Sequence, residues 1–302
     1  MIGIILVAHG APRSIDEVDD YFKHILKGKT PSAPMLDNIK KQYRKFGTCD
    51  PLGSITSRLA IGIQNVLELS HKDVKVYNAY KHTAPFIDET VGQMIEDGMK
   101  TIVTLPITPI FSKKGTGEFQ EQVQTLVNNI DKSIEVIHIH NWNTHPALVS
   151  VLANRVKDAY SWLSESVRQD SAVLFTVHSQ PVNPEMNQVY VTQFTQLATA
   201  IANEIGLSNW QTTYRSGANR DGWLGPNVKE AIRQMQKEGV KGIVTCELLS
   251  LVADIESFFE IGEECHELCQ ELDLEFARAE FPNDSYDIVI ALAAIINQQI
   301  NK

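Results

Sequence analysis

Residues Ser171 to Pro181 read SAVLFTVHSQP, and this stretch decides the fold. Val173, Leu174, Phe175 and Val177 make a short apolar, partly β-branched block, the pattern of a strand buried on both faces. The block stops at His178, just before Ser179, Gln180 and the turn-forming Pro181. Open α/β sheets place ligands and chemistry at the carboxyl ends of such strands. The arrangement occurs once earlier: Ile4 to Pro12 reads IILVAHGAP, with His9 where the later run has His178. Two strands that end in His, a small residue, a variable residue and Pro imply two similar halves facing one cleft.

A second repeat lies outside these strands. Gln93 to Thr104 reads QMIEDGMKTIVT and Gln234 to Thr245 reads QMQKEGVKGIVT. Their offset is 141 residues (234 less 93), against 169 for the two histidines (178 less 9). Unequal offsets mean insertions between anchors that keep their order, which favours a duplicated domain. Strand and helix patterns alternate throughout, as in parallel-sheet α/β proteins. Strands are expected over 3–7, 74–80, 101–107, 134–139, 172–177, 210–215, 242–249 and 274–279. Helices are expected over 14–27, 35–46, 54–69, 85–99, 120–130, 146–163, 190–205, 227–237, 255–272 and 286–299. Ser14 and Glu17 have the spacing of a capping box. The reading is α/β: two similar Rossmann-like domains over residues 1–144 and 145–302, each a parallel sheet flanked by helices. The closing helix, 286–299, is expected to pack across their boundary.

At 302 residues the chain has room for two domains, and its formal charge of −10 argues against nucleic-acid binding, which needs clustered Lys and Arg. No stretch approaches the roughly 20 uninterrupted apolar residues of a membrane span, and no secretory signal is visible. A cytoplasmic protein, monomeric and without a membrane segment, is therefore expected. Cys49, Cys246, Cys265 and Cys269 form no CxxC pair and no recognisable cluster spacing, so neither a disulfide framework nor an iron–sulfur site is expected.

Glu256, Glu260 and Glu264 fall at i, i+4 and i+8 of the 255–272 helix. Three carboxylates on one helical face repel one another, so something must compensate. Two readings stay open: a solvated acidic face, or oxygen ligands passing a hydrated divalent cation towards a buried site. His178 likewise reads either as a hydrogen-bonded core residue or as a base able to accept a proton near neutral pH. Trp223-Leu224-Gly225-Pro226 is a turn into a helix, with an aromatic suited to a flat ligand. Lys113-Lys114-Gly115-Thr116-Gly117 lies in the longest loop and could meet anionic groups, although it lacks phosphate-loop spacing.

Taken in order, VAHGAP (7–12), PLGSIT (51–56), KHTAPFID (81–88), VHSQP (177–181), WLGP (223–226), VAD (252–254) and the E-x3-E-x3-E-C ending at Cys265 resemble the ferrochelatases. The resemblance is to their short Gram-positive form, which inserts iron into coproporphyrin III, and it runs nearly the whole length. It implies two Rossmann-like domains with a porphyrin cleft between them. It implies that His178 takes pyrrole protons and faces the metal, that Glu256 is its acidic partner, and that Glu260 and Glu264 form a carboxylate path. His9, where this branch usually has Tyr, is expected as a further metal-facing residue by likeness to cobalt chelatases. Substrate contacts are implied for His9, Lys27, Lys29, Ser54, His82, Lys113, Lys114 and Trp223. Fe²⁺ is then a substrate, and no tightly bound cofactor is expected.

The chain also departs from the family pattern. Position 9 is usually Tyr in that branch, and His9 is similar instead to cobalt chelatases that use paired histidines. The family's Pro-x-Gly-Phe run is Leu248-Leu249-Ser250-Leu251, and one residue is missing between Asp254 and Glu256. The porphyrin-carboxylate loop has Glu118 and Phe119 in place of a Ser-rich stretch ending in Tyr. Arg215, Asn219 and Arg220 stand where the family has a Gln-Ser motif. The expected activity is insertion of Fe²⁺ into a porphyrin. The rival readings are a chelatase for cobalt and a sirohydrochlorin-like ring, a porphyrin- or haem-binding paralogue without turnover, and an α/β protein with an unrelated ligand.

Overall fold

A computed structural model describes residues 1–46, 51–217 and 221–301. Cys49, Asn219 and Arg220 lie outside them. Four strands, β1 (Ile2–Ala8), β2 (Val74–Tyr80), β3 (Thr101–Pro106) and β4 (Glu135–His138), form one parallel sheet in the order β2-β1-β3-β4. A second parallel sheet comprises β5 (Ser171–His178), β6 (Trp210–Arg215), β7 (Gly242–Glu247) and β8 (Glu275–Arg278), in the order β6-β5-β7-β8. The two orders are the same topology traced twice. The central strands β1 and β5 carry the two apolar blocks because helices cover both faces there, and Val173, Leu174, Phe175 and Val177 are fully buried.

The helices are α1 (Val18–Ile25), α2 (Ala33–Phe46), α3 (Leu52–Leu67), α4 (Ile87–Glu96), α5 (Glu118–Ile130), α6 (Pro146–Ser161), α7 (Glu165–Arg168), α8 (Pro184–Ile205) and α9 (Val228–Lys237). Next come α10 (Ile255–Ser257), a π-helical segment over Phe258–Glu263, α11 (Glu264–Glu271) and α12 (Tyr286–Ile300). The 141-residue repeat is a structural one. In each half a cis-proline, Pro85 or Pro226, gives its carbonyl to the backbone N–H of a tyrosine near the strand end, Tyr80 or Tyr214, at 2.9 Å. In each half the following helix, α4 or α9, ends in the same turn. There the amide of Met99 or Val240 reaches back to the carbonyl of Met94 or Met235 at 3.1 Å, and β3 or β7 follows.

One apolar core runs from β1 through α3, α6, α8 and α12 to β5, so the halves share a packed side. Helix α12 lies against both α3 and α6. Its Val289 sits so close to Gly62 that a Cβ at position 62 would come within 2.9 Å of a Val289 methyl. At the far end of the same helix pair, His71 Nε2 and Asn297 Oδ1 are 2.8 Å apart.

Three expectations need correction. The Ser14–Glu17 capping box does not form. Ser14 makes no side-chain cap, and residues 15–17 are a 3₁₀ turn, because Arg13 takes the Glu17 carboxylate through its backbone N–H (2.9 Å) and its guanidinium (2.8 Å). A two-point charge-assisted contact outcompetes a cap bond. Helix α8 starts six residues before the expected Tyr190. Asn183 caps it by accepting from the Met186 N–H, with Pro184 in its first turn, a start signal present in the sequence. The expected single helix over 255–272 is broken into α10, the π-helical segment and α11. The wide turn frees carbonyls that side chains then satisfy: Cys265 Sγ donates to the Glu260 carbonyl at 3.1 Å and Thr245 Oγ1 to that of Ile261 at 3.3 Å.

Candidate active site

Each central strand delivers one histidine. His178 is the last residue of β5, and His9 follows the last residue of β1. After His9 the chain turns at Gly10 with φ +92°, where a Cβ would also lie 2.8 Å from Thr83 Oγ1, so only glycine fits. The Gly10 carbonyl accepts from Tyr21 OH at 2.7 Å. Because β2 pairs with β1 in register, the His82 N–H reaches the His9 carbonyl at 3.0 Å and the two rings lie 4.4 Å apart. His24 of α1 joins them, its Nδ1 2.9 Å from His82 Nδ1.

Desolvation in this recess lowers His9 to a pKa of about 4, aided by Lys81 and His178 and opposed by Glu256. His82 falls to about 3 through desolvation, then His9, Lys81 and His24. Both rings are neutral near pH 7. His9 therefore feels the charges of Glu256 and His178 at the end of the other central strand.

Strand parity builds the other wall. Side chains two apart on a strand share a face, and residues paired across strands do too. His178 pairs with Arg215 of β6, and Thr176 pairs with Glu247 of β7. Thr176, His178, Arg215 and Glu247 therefore point from one face of the sheet. Arg215 is 4% exposed and its Nε meets Glu247 Oε2 at 2.9 Å. Its Nη1 meets Glu256 Oε2 at 2.9 Å. Glu256 turns its other oxygen, Oε1, towards His178 Nε2 at 3.7 Å. His178 Nδ1 lies 2.5 Å from the Ser179 carbonyl. A carbonyl only accepts, so Nδ1 carries a proton, and Nε2 is the nitrogen turned towards Glu256. Tyr190 OH donates to the His178 carbonyl at 2.8 Å and fixes the backbone of this corner.

The acidic ladder has the compensation it requires. Ser216 Oγ lies 2.8 Å from Glu256 Oε1 and 2.8 Å from Glu260 Oε2, and its backbone N–H donates to Glu260 Oε1 at 2.5 Å. Ser216 adopts φ +61°, which turns hydroxyl and N–H to the same side. Glu264 is held by Lys229 Nζ at 2.6 Å. Burial opposes the ionised form of Glu256, but Arg215, His178 and Ser216 outweigh it and hold its pKa at about 2. Glu256 and Glu260 thus share one serine, whereas Glu264 belongs to a separate ion pair. Among the described residues no three His, Cys, Asp or Glu side chains converge as a preformed metal cage.

The remaining candidates are more scattered. Trp223 pairs its backbone with Pro181, and the Leu224 N–H reaches the Gln180 carbonyl at 2.9 Å, so the WLGP turn lies alongside the loop after His178. Lys27 and Lys29 are exposed just beyond α1, and Lys113 and Lys114 are exposed on a π-helical turn, Lys113–Gly117. Ser54 spends its hydroxyl on the Pro51 carbonyl at 2.9 Å, within its own helical turn. Burial pushes the thiols of Cys246, Cys265 and Cys269 up, so they stay protonated.

Residue-by-residue reading missed Arg215's role, Glu247, Ser216, His24 and Lys81. Lys81 pairs with Glu118 at 2.5 Å and lies 5.4 Å over the Phe119 ring, so the altered loop supplies a seat for this lysine. Only strand register and loop packing bring these residues to the cleft. Should Glu260 handle metal at the Ser216 corner, Glu260→Gln raises the metal KM about tenfold, worth about 1.4 kcal/mol, and leaves the porphyrin KM in place. A rise confined to the porphyrin KM would assign this carboxylate to shaping the ring's seat.

Comparison with known proteins follows the same lines. The chain is 28% identical over 308 residues to the coproporphyrin III ferrochelatase of Halalkalibacterium halodurans, covering 99% of this chain and 97% of that one. It is 26% identical over 304 residues to that of Geobacillus sp. strain WCH70, covering 99% and 98%. Among solved structures, SirB from Bacillus subtilis with Fe³⁺ superposes with a TM-score of 0.61 at 11% identity, over 99% of this chain and 95% of that one. That likeness speaks for the chelatase fold alone. The sequence pattern of the ferrochelatases, in contrast, matches residues 1–300, and the protein belongs to the ferrochelatase family.

Proposed function

We propose that the protein inserts Fe²⁺ into a porphyrin, coproporphyrin III foremost, with His178 as the proton acceptor. One observation carries this reading: at the end of the central strand of a chelatase-type sheet, an imidazole anchored through Nδ1 to the Ser179 carbonyl turns Nε2 towards an ionised carboxylate 3.7 Å away. Metal insertion must release two pyrrole N–H protons as Fe²⁺ enters the ring. His178 Nε2 takes the two in turn, passing the first to solvent before the second leaves, while Nδ1–H stays on the Ser179 carbonyl and Glu256 stabilises each imidazolium that forms. With a pKa of about 2, Glu256 remains ionised near neutral pH and serves as a fixed charge, not as the first base. Glu260, sharing Ser216 with Glu256, extends the anionic surface outward for an approaching dication.

Neutral His9 and His82 line the opposite wall, where unprotonated nitrogens can face a cation without repelling it. The exposed Lys27, Lys29, Lys113 and Lys114 supply charge for carboxylates at the ring's edge. Coproporphyrin III is favoured over other rings because the full-length relatives described above act on it by name. Binding energy at the periphery supports the bending that exposes the ring nitrogens. The same reading makes the protein a cytoplasmic monomer with no resident cofactor. Among the described residues, no helix is long and apolar enough to cross a membrane.

The test is anaerobic metallation. Coproporphyrin III, protoporphyrin IX and sirohydrochlorin are each mixed with the protein and Fe²⁺ or Co²⁺, and the visible bands are followed. The expected result is fastest turnover with Fe²⁺ and coproporphyrin III. Ring binding with no rate above the uncatalysed control would overturn the reading in favour of a binding protein. Fastest turnover with Co²⁺ and sirohydrochlorin would overturn it in favour of a different chelatase.

A further inference from the structure

We propose that Arg215 and Glu247 are positioning residues, a buried and mutually neutralising pair that fixes Glu256 against His178 without adding net positive charge to the path of a dication. The inference rests on the metal-inserting reading above and names two residues that reading does not use.

Both members are nearly inaccessible, Arg215 at 4% and Glu247 at 6% exposure. Glu247 is held at both oxygens: Oε2 meets Arg215 Nε at 2.9 Å and Thr176 Oγ1 at 3.1 Å, and Oε1 accepts from the Leu249 N–H at 3.0 Å. Arg215 passes that rigidity on, since Nη1 binds Glu256 Oε2 at 2.9 Å and leaves Oε1 towards His178. Asp254, 4.0 Å from Nη2, completes the surround. Thr176 and His178 are two apart on the same strand, so the anchor for Glu247 and the base share one rigid element.

A buried ion pair is a poor device for stability, because desolvation consumes most of the attraction and apolar replacements do as well. Its placement behind the carboxylate that faces His178 Nε2 at 3.7 Å points to a role in the site. A guanidinium alone would hold Glu256 well, yet it would also repel an approaching dication through the low-dielectric wall. Glu247, on the Nε of Arg215 while Glu256 takes Nη1, cancels that charge and leaves the grip. The clamp is neutral as seen by the metal and rigid as seen by Glu256.

Glu247→Gln separates the two roles in the full chain, because the amide oxygen can still accept from Arg215 while the cancelling charge is gone. We expect the dissociation constant for Co²⁺, read anaerobically from its visible absorption, to rise about tenfold or more. The metal KM rises in parallel and the porphyrin KM stays unchanged. The double variant Arg215→Gln/Glu247→Gln removes both charges of the pair and serves as the folding control, with Glu256 kept on Ser216 and Asp254 on the Ser257 N–H and hydroxyl. Its Co²⁺ affinity returns to near the wild-type value while kcat falls, because Glu256 has lost its anchor. Unchanged Co²⁺ binding in Glu247→Gln overturns the proposal even where the wild type turns over normally. So does a fall in Tm with both KM values untouched, which marks a merely structural pair. Weakened Co²⁺ binding in a protein that metallates no porphyrin overturns the functional reading and leaves the clamp standing.

Discussion

His178→Ala lowers the rate of metal insertion by about 10²- to 10⁴-fold, the usual worth of a positioned general base, while porphyrin binding persists. The imidazole ends the central strand of this wall and is the nitrogen base set beside Glu256. Its Nδ1–H is committed to the Ser179 carbonyl and its Nε2 faces Glu256. Glu256 cannot substitute, since with a pKa of about 2 it is too weak a base near pH 7. His9 and His82, at about 4 and about 3, are weak bases as well. Removing His178 also removes one of the influences that hold Glu256 ionised, but Arg215 and Ser216 remain, so the carboxylate stays in place. The measurement is kcat for Fe²⁺ insertion, with porphyrin affinity from fluorescence quenching. A rate within about threefold of wild type lies far below the worth of a general base and would remove His178 from the reaction.

Arg215→Met destabilises the protein by about 3–5 kcal/mol near neutral pH, the cost of leaving one partner of a buried pair uncompensated. The partner is Glu247, whose carboxyl burial already pushes above its ordinary pKa even with Arg215 opposing that shift. Without the guanidinium its folded-state pKa climbs further, above the unfolded value of about 4.3. The folded state then binds the proton more tightly than the unfolded one, so stability is lost as pH rises. The deficit relative to wild type is therefore full at alkaline pH, shrinks as pH falls through the raised value, and is gone below about pH 4. Urea unfolding of both proteins at pH 8 and pH 5 checks this. A deficit that is the same at both pH values would mean that lost packing, not the stranded carboxylate, sets the cost.

The two apolar blocks ending in His9 and His178 determined the central strands of both sheets. A run buried on both faces leaves a chain little choice beyond a covered parallel sheet. The paired QM…IVT segments determined the duplication, and the two strand orders repeat accordingly. The ferrochelatase motifs determined the family. The start of α8 was also written in the sequence, in Asn183 and Pro184.

Other features were decided by the tertiary structure. The capping box at Ser14 lost to Arg13, a competition between bonds of similar local spacing that sequence cannot rank. The break in the 255–272 helix depends on Thr245 and Cys265 being there to satisfy the freed carbonyls. Above all, the grouping of Thr176, His178, Arg215 and Glu247 exists only because three parallel strands align in one register. Local propensity and periodicity are properties of neighbours along the chain, and they set where strands and helices form. A catalytic wall is assembled from residues about 30 to 80 positions apart, and what joins them is the hydrogen-bond register between strands and the cost of burying a charge without its partner.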